Sequence, residues 1–268
     1  MGDDPARSAV PEVLRGGSLE LAMRRNDGDS KRTGGDGFPR SSAPAAAPRL
    51  GDACAGAWKC FLEDVDRYRL RPRSRAAVIV LSQGLWASAV YRFFYPLVRA
   101  RAAWLRRAAH FVSVFAVKAI EVLAGISLPP EAEIEGGLYI GHFGHVIVNP
   151  RARIGRNCNL SPGVVIGSGG RGEDEGRPRE GVPVLGNRVY VGPGAVLFGP
   201  IVVGDDAAIG ANAVVTKSIP ERAVVAGVPA RVTGHRGSFL YVQYLGMEND
   251  PERLRSLRAA DGQRQEAR

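Results

Sequence analysis

The chain has 268 residues, 36 of them Lys or Arg and 27 Asp or Glu, for a formal net charge of +9. That length holds one or two domains with a sizeable core. Its three cysteines, Cys54, Cys60 and Cys158, leave one unpaired in any disulfide scheme and show no metal-ligand spacing, which excludes a disulfide framework and favours a reducing compartment.

Residues 1–53 are rich in Gly, Ala, Pro, Ser, Asp and Arg, the composition of a disordered tail. Met1–Arg15 has no apolar run of signal-peptide type, so a cytoplasmic location is expected. Residues 54–127 read as a basic α-helical segment. Between 51 and 127 there are 12 Lys/Arg against 5 Asp/Glu. Trp58, Leu62 and Val65 form a first apolar face, and the basic run RYRLRPRSR follows at 67–75. The stretch from Ala76 to Val98 is long enough to span a bilayer, but Gln83, Arg92 and the cluster Tyr91, Phe93, Phe94 and Tyr95 argue against a span. Helices packed on a partner chain fit better, with a peripheral contact to an anionic inner-membrane surface through 67–107. Nucleic acid is not an expected partner, because the arginines border apolar helices rather than line a groove. A second apolar helix is expected over His110–Ala124, stopped by Gly125.

From Leu128 the period changes. Aliphatic residues recur every six positions: Leu128, Ile134 and Ile140, then Val148, Ile154, Leu160 and Ile166, then Leu185, Val191, Leu197, Val203, Ile209 and Val215. Six fits neither a helix nor a strand. It fits a coil with three short flat faces, whose stacked turns bury one apolar column. The metronome slips twice. Ile140 to Val148 is a step of eight, and the charged stretch 168–183 interrupts the repeat, reading as a loop extruded from the coil, where repeat scaffolds place binding faces. The coil domain is expected over 128–233. Residues 234–268 then form a C-terminal cap and tail, with Phe239, Tyr241 and Tyr244 covering the coil end.

The segments GLYIGHFGHVIVNPRARIG (137–155), NLSPGVVIG (159–167), the run from Val189 to Val215 and AGVPARV (226–232) resemble the hexapeptide-repeat acyltransferases, and within them the serine acetyltransferase branch. The resemblance covers about residues 75–232. It implies a mainly β fold, a left-handed parallel β-helix preceded by a short helical segment. It implies a homotrimer with acetyl-CoA, the co-substrate, lying between adjacent coils, and no metal. It also implies that His142 is the catalytic base. Located within the eight-residue irregularity, an imidazole can leave the stacked column and take a proton from an acceptor hydroxyl at neutral pH. His145 is a second candidate for the same site. By matching position, Gly192, Ala195, Gly210 and Ala211 lie where coenzyme A approaches the coil, with Lys217 and Arg231 as candidates for its phosphates.

Two positions depart from that branch. The residue before the catalytic histidine, usually Asp, is Gly141, and the Arg-His-Pro run that closes the loop is replaced by Gly181, Val182 and Pro183. Arg171, Arg177 and Arg179 of the longer loop are therefore expected to build the acceptor pocket. The acceptor is L-serine or a sugar hydroxyl; the pattern is also similar to serine acetyltransferase-like proteins of exopolysaccharide pathways. Two other readings are a non-catalytic trimeric assembly module and a metal enzyme such as a γ-type carbonic anhydrase. The metal reading needs three converging histidines, and only His142 and His145 fall within the coils.

Overall fold

A computed structural model of the chain describes residues 50–69, 78, 81–170, 173–174, 177–178 and 180–266, with side chains described over 55–69, 78, 81–170 and 180–259. The tail 1–49 therefore lies outside the described residues. Among the described residues, the helices α1 (Leu50–Tyr68), α2 (Gln83–Leu97) and α3 (Ala103–Ala124) precede the coil. Gly125 stops α3 as expected. It adopts φ +65°, open to glycine at no steric cost, and its N–H donates to Glu121 O at 2.9 Å. The helix itself begins seven residues before the predicted His110.

The apolar face of α1 is divided: Val65 packs inward beside Tyr68 and Leu85, while Trp58 and Leu62 turn away from the chain. Trp58 is 61% exposed and Leu62 46%, whereas Ala57, Asp64, Arg67 and Tyr68 are buried. Beside that small apolar cluster, polar side chains occupy the inner face because they meet strand backbone. Within the stretch 76–98, α2 starts only at Gln83. Among the described residues no helix is long and apolar enough to cross a membrane, and Arg92 within that stretch is buried against Asp64.

Three parallel sheets then wrap around the apolar column as the faces of a prism. The first face stacks β1 (Ile126–Ser127), β3 (Val146–Val148), β6 (Val165–Gly167), β11 (Val196–Phe198) and β14 (Val214–Val215). The second stacks β2 (Glu133–Ile134), β4 (Arg153–Ile154), β9 (Val184–Leu185) and β12 (Val202–Val203). The third stacks β5 (Asn159–Leu160), β10 (Tyr190–Val191), β13 (Ala208–Ile209) and β15 (Val224–Ala226), with Tyr139 bridged to Asn159 at one end. Partners in the regular coils lie 18 residues apart, as Val191 with Ile209 and Leu197 with Val215. The two slips in the sequence period become two enlarged coils. Tyr139 and Asn159 are 20 apart, and Ile166 and Leu197 are 31 apart. The second enlargement is the extruded loop, which carries a small antiparallel hairpin of β7 (Glu173–Asp174) and β8 (Arg177–Pro178). From Leu185 to Val215 every sixth residue is at most 2% exposed, which fixes the phase of the repeat as read.

Parallel strands leave bare N–H and C=O groups on the first coil, which has no coil before it. The helices supply the partners. The Tyr91 hydroxyl donates to Ala132 O at 2.9 Å and accepts from Ile134 N at 3.0 Å. The Tyr68 hydroxyl does the same for Ile140 O and Ile140 N, at 3.0 and 3.1 Å. Asp64 accepts from Leu138 N at 2.8 Å, and Arg92 donates to Ile134 O at 2.5 Å and Glu135 O at 2.7 Å. Gly84 lets α2 come this close: a Cβ there would lie 2.2 Å from Ile140 O.

At the other end β16 (Arg231–Gly234) pairs antiparallel with β15. The aromatic patch does not cover that end. The chain turns back along the side of the prism, where Ser238 Oγ donates to Arg188 O and Tyr241 stacks on Tyr190 with ring centroids 4.4 Å apart. A last helix, α4 (Pro251–Glu266), is anchored by the buried Arg253, which donates to Val242 O at 2.8 Å.

Candidate active site

His142 stands on the enlarged corner between the third and first faces, over residues 141–145, and its side chain is exposed. The corner is tied to the end of α3: Gly144 N donates to Ala124 O at 3.1 Å and Val146 N to Gly125 O at 3.0 Å. His145 takes φ +23° and Gly144 φ +115°. The left-handed conformation is unusual for a non-glycine residue and marks a corner held against its preference. His145 is exposed, as is the neighbouring Phe143.

The same corner recurs in each following coil. Residues 161–164, 192–195 and 210–213 stack along one edge of the prism, with Gly194 N donating to Pro162 O at 2.9 Å and Asn212 N to Pro193 O at 2.7 Å. The structure thus brings His142, His145, Gly192, Ala195, Gly210 and Ala211 to a single edge. Their roles along it differ. A Cβ on Gly192 would meet Ile209 O at 2.7 Å and Ala211 N at 2.9 Å, so coil stacking alone requires glycine there. Ala195 is fully buried in the column, and only its backbone reaches the edge. Ala211 is exposed.

The remaining candidates lie elsewhere. Lys217 follows β14 at the corner between the first and second faces, the corner from which the long loop leaves, and Arg231 lies in β16; both are exposed. Arg171 and Arg179 fall outside the described residues, and Arg177 is described only as backbone in β8.

Sequence reasoning missed the residues behind the corner. A Cβ at Gly141 would lie 2.9 Å from Tyr139 Cε1 and 3.0 Å from the Tyr139 hydroxyl. Tyr139 packs against Tyr68, with ring centroids 4.7 Å apart, and the Arg67 guanidinium sits 5.7 Å from the Tyr139 centroid. Arg67 is buried, donates to Gly137 O at 2.6 Å and to Asn159 Oδ1, and burial lowers its pKa to about 10. Burial likewise raises the Tyr68 hydroxyl. Tyr139 and residue 141 flank the buried Ile140 and both face away from the column. That alternation was the available signal.

Comparison with known proteins agrees with this geometry. The bacterial transferase hexapeptide (six repeats) family matches residues 183–217. A serine acetyltransferase of Helicobacter pylori is 35% identical over 159 residues, covering 59% of this chain and 86% of that protein. The serine acetyltransferase of Mycobacterium tuberculosis is 38% identical over 148 residues, covering 53% of this chain; the chain spans 62% of its length. A solved serine acetyltransferase in complex with CoA superposes with a TM-score of 0.56 at 25% identity, over 69% of this chain and 72% of that one. The fold is the left-handed parallel β-helix.

Proposed function

Because this chain belongs to the hexapeptide-repeat serine acetyltransferase family of acetyl-CoA-dependent acyltransferases, we propose that it moves an acetyl group from acetyl-CoA to an acceptor hydroxyl, of L-serine or a sugar, with His142 as general base. The observation that carries this is the exposed imidazole on the one corner of the edge enlarged by two residues. The imidazole takes the hydroxyl proton as the acceptor oxygen bonds to the thioester carbonyl carbon. The resulting oxyanion is held by a backbone N–H of the edge. The C–S bond then breaks, and the imidazolium returns its proton to the departing thiolate. His145 lines the same site. Lys217 and Arg231 are the candidates for the phosphates of coenzyme A, and the loop arginines 171, 177 and 179 for the acceptor.

A homotrimer fits this reading. The outer side of the first face is a ladder of Ile147, Val165, Val196 and Val214 in register, bounded by the His142 edge on one side and the loop root on the other. A neighbouring coil seated there completes a cleft from both. The exposed outer side of α3, with Trp104 at 74%, Phe111 at 68% and Val122 at 78% exposure, supports placing the peripheral membrane contact there, beyond most of 67–107.

The test is thiol release from acetyl-CoA with L-serine, homoserine and sugars as acceptors. His142→Ala is expected to lower turnover by about 10²-fold or more, the usual worth of a positioned base. Full turnover in that variant removes the mechanism. Absence of coenzyme A binding by calorimetry favours the assembly-module reading instead.

A further inference from the structure

Resting on His142 as the base, we propose that Tyr139 is an acceptor-specificity residue, whose phenol selects a neutral polyhydroxyl acceptor over an ammonium-bearing one. Position 141 carries no side chain, and the space its Cβ would enter is filled by the edge of the Tyr139 ring and its hydroxyl, 2.9 and 3.0 Å away. The group beside the histidine corner is therefore a neutral phenol, not a carboxylate. Tyr139 is half-buried, and none of the described residues hydrogen-bonds its hydroxyl. That hydroxyl is both donor and acceptor, suited to the vicinal hydroxyls of a sugar.

The surroundings fix the ring and set the local charge. Tyr68 holds one side of the ring at 4.7 Å and is itself held by both hydrogen bonds to Ile140. Arg67 stands over the ring at 5.7 Å, buried, with its hydrogen bonds going to neutral oxygens. Asp64, which accepts the Leu138 N–H, is neutralised by Arg92. An ammonium group arriving at Tyr139 meets a buried cation, and among the described residues no carboxylate hydrogen-bonds the Tyr139 hydroxyl. Neutral hydroxyls meet a phenol with its hydrogen-bonding capacity unused.

The experiment uses the full chain, acetyl-CoA, and three acceptors: N-acetylglucosamine, mannose and L-serine. The wild-type kcat/KM for a neutral sugar is expected to exceed that for L-serine by at least tenfold. Tyr139→Phe keeps the ring and its packing, so its melting temperature stays that of the wild type. Its sugar KM is expected to rise at least tenfold, with the acetyl-CoA KM within twofold. A preference for L-serine, no turnover of either sugar, or a Tyr139→Phe variant within twofold of wild type for every acceptor overturns the inference. His142→Ala separates the two readings. If it keeps turnover, the base assignment falls; if it is inactive while Tyr139→Phe is unchanged, only the Tyr139 assignment falls.

Discussion

Arg92→Met tests how the helices hold the first coil. In the native chain Asp64 accepts from Arg92 Nε at 3.0 Å, Arg92 Nη2 at 3.2 Å, Ser88 Oγ and Leu138 N, while Arg92 also donates to Ile134 O and Glu135 O. Both side chains are at most 5% exposed. Burial would lower the Arg92 pKa, but the Asp64 carboxylate overcomes this and holds it above the ordinary arginine value. Removing the guanidinium leaves the buried carboxylate without its cation and the Ile134 and Glu135 carbonyls without this donor. Breaking a buried pair from one side costs about 3–5 kcal/mol. In a domain of this size each kcal/mol lowers Tm by about 2–4 °C, so a fall of about 6–20 °C is expected in thermal melts. Urea titration should show the same loss as a lower midpoint at unchanged slope. Asp64→Leu combined with Arg92→Met leaves no stranded charge and should fall short of the sum of the single losses by about 1 kcal/mol or more. A single variant within about 0.5 kcal/mol of wild type, the usual range for surface changes, refutes the claim that this pair secures the helices to the coil.

Two further outcomes follow from the column. Leu197 is fully buried between Ile166 and Val215, so Leu197→Ala should cost about 2–5 kcal/mol, whereas Phe198→Ala, one residue on and facing outward, should cost less than about 1 kcal/mol; urea midpoints of the two variants test the phase directly. Burial pushes the Cys158 thiol up to about 12, so iodoacetamide at pH 8 should leave it unmodified in the folded protein and label it in urea, as peptide mass mapping would show. The sign of its pH effect follows from the same shift. Below the unfolded thiol pKa both states keep the proton, and above it the unfolded chain releases it first. Between about pH 9 and 12 this residue therefore weakens the fold by about 1.4 kcal/mol per pH unit, visible as a falling Tm in that window.

Much of the coil was legible because a six-residue step has one physical solution. Leu185, Val191, Leu197, Val203, Ile209 and Val215 point inward as read, and the slip after Ile140 located the corner enlarged by two residues. The helices were less legible. Asp64 and Arg92 are 28 residues apart, and neither belongs to a periodic pattern that marks it as buried. An inner face built to satisfy strand backbone is polar, and so it reads as an outer one. Ala195 sits on the edge only through its backbone, because its methyl group is buried in the column; small residues serve both the inner turn and the outer edge, and composition does not separate the two. The neighbours of His142 were hidden differently. Tyr139 looks like any aromatic before a turn until the missing side chain at Gly141 is set beside it in space.

The polar dressing of the first coil also bears on solubility. An open stack of parallel strands is a template that an identical stack can extend, and nothing in an 18-residue period limits its growth. Here the side chains of α1 and α2 occupy the bonding sites that a neighbouring stack would need, and at the far end β16 runs antiparallel to its neighbour, out of phase with a further turn. The helical segment thus acts as a chain terminator. A fragment trimmed to the repeats alone would lose both the helices and β16 and expose strand backbone at both ends, free to join end to end with other molecules into filaments.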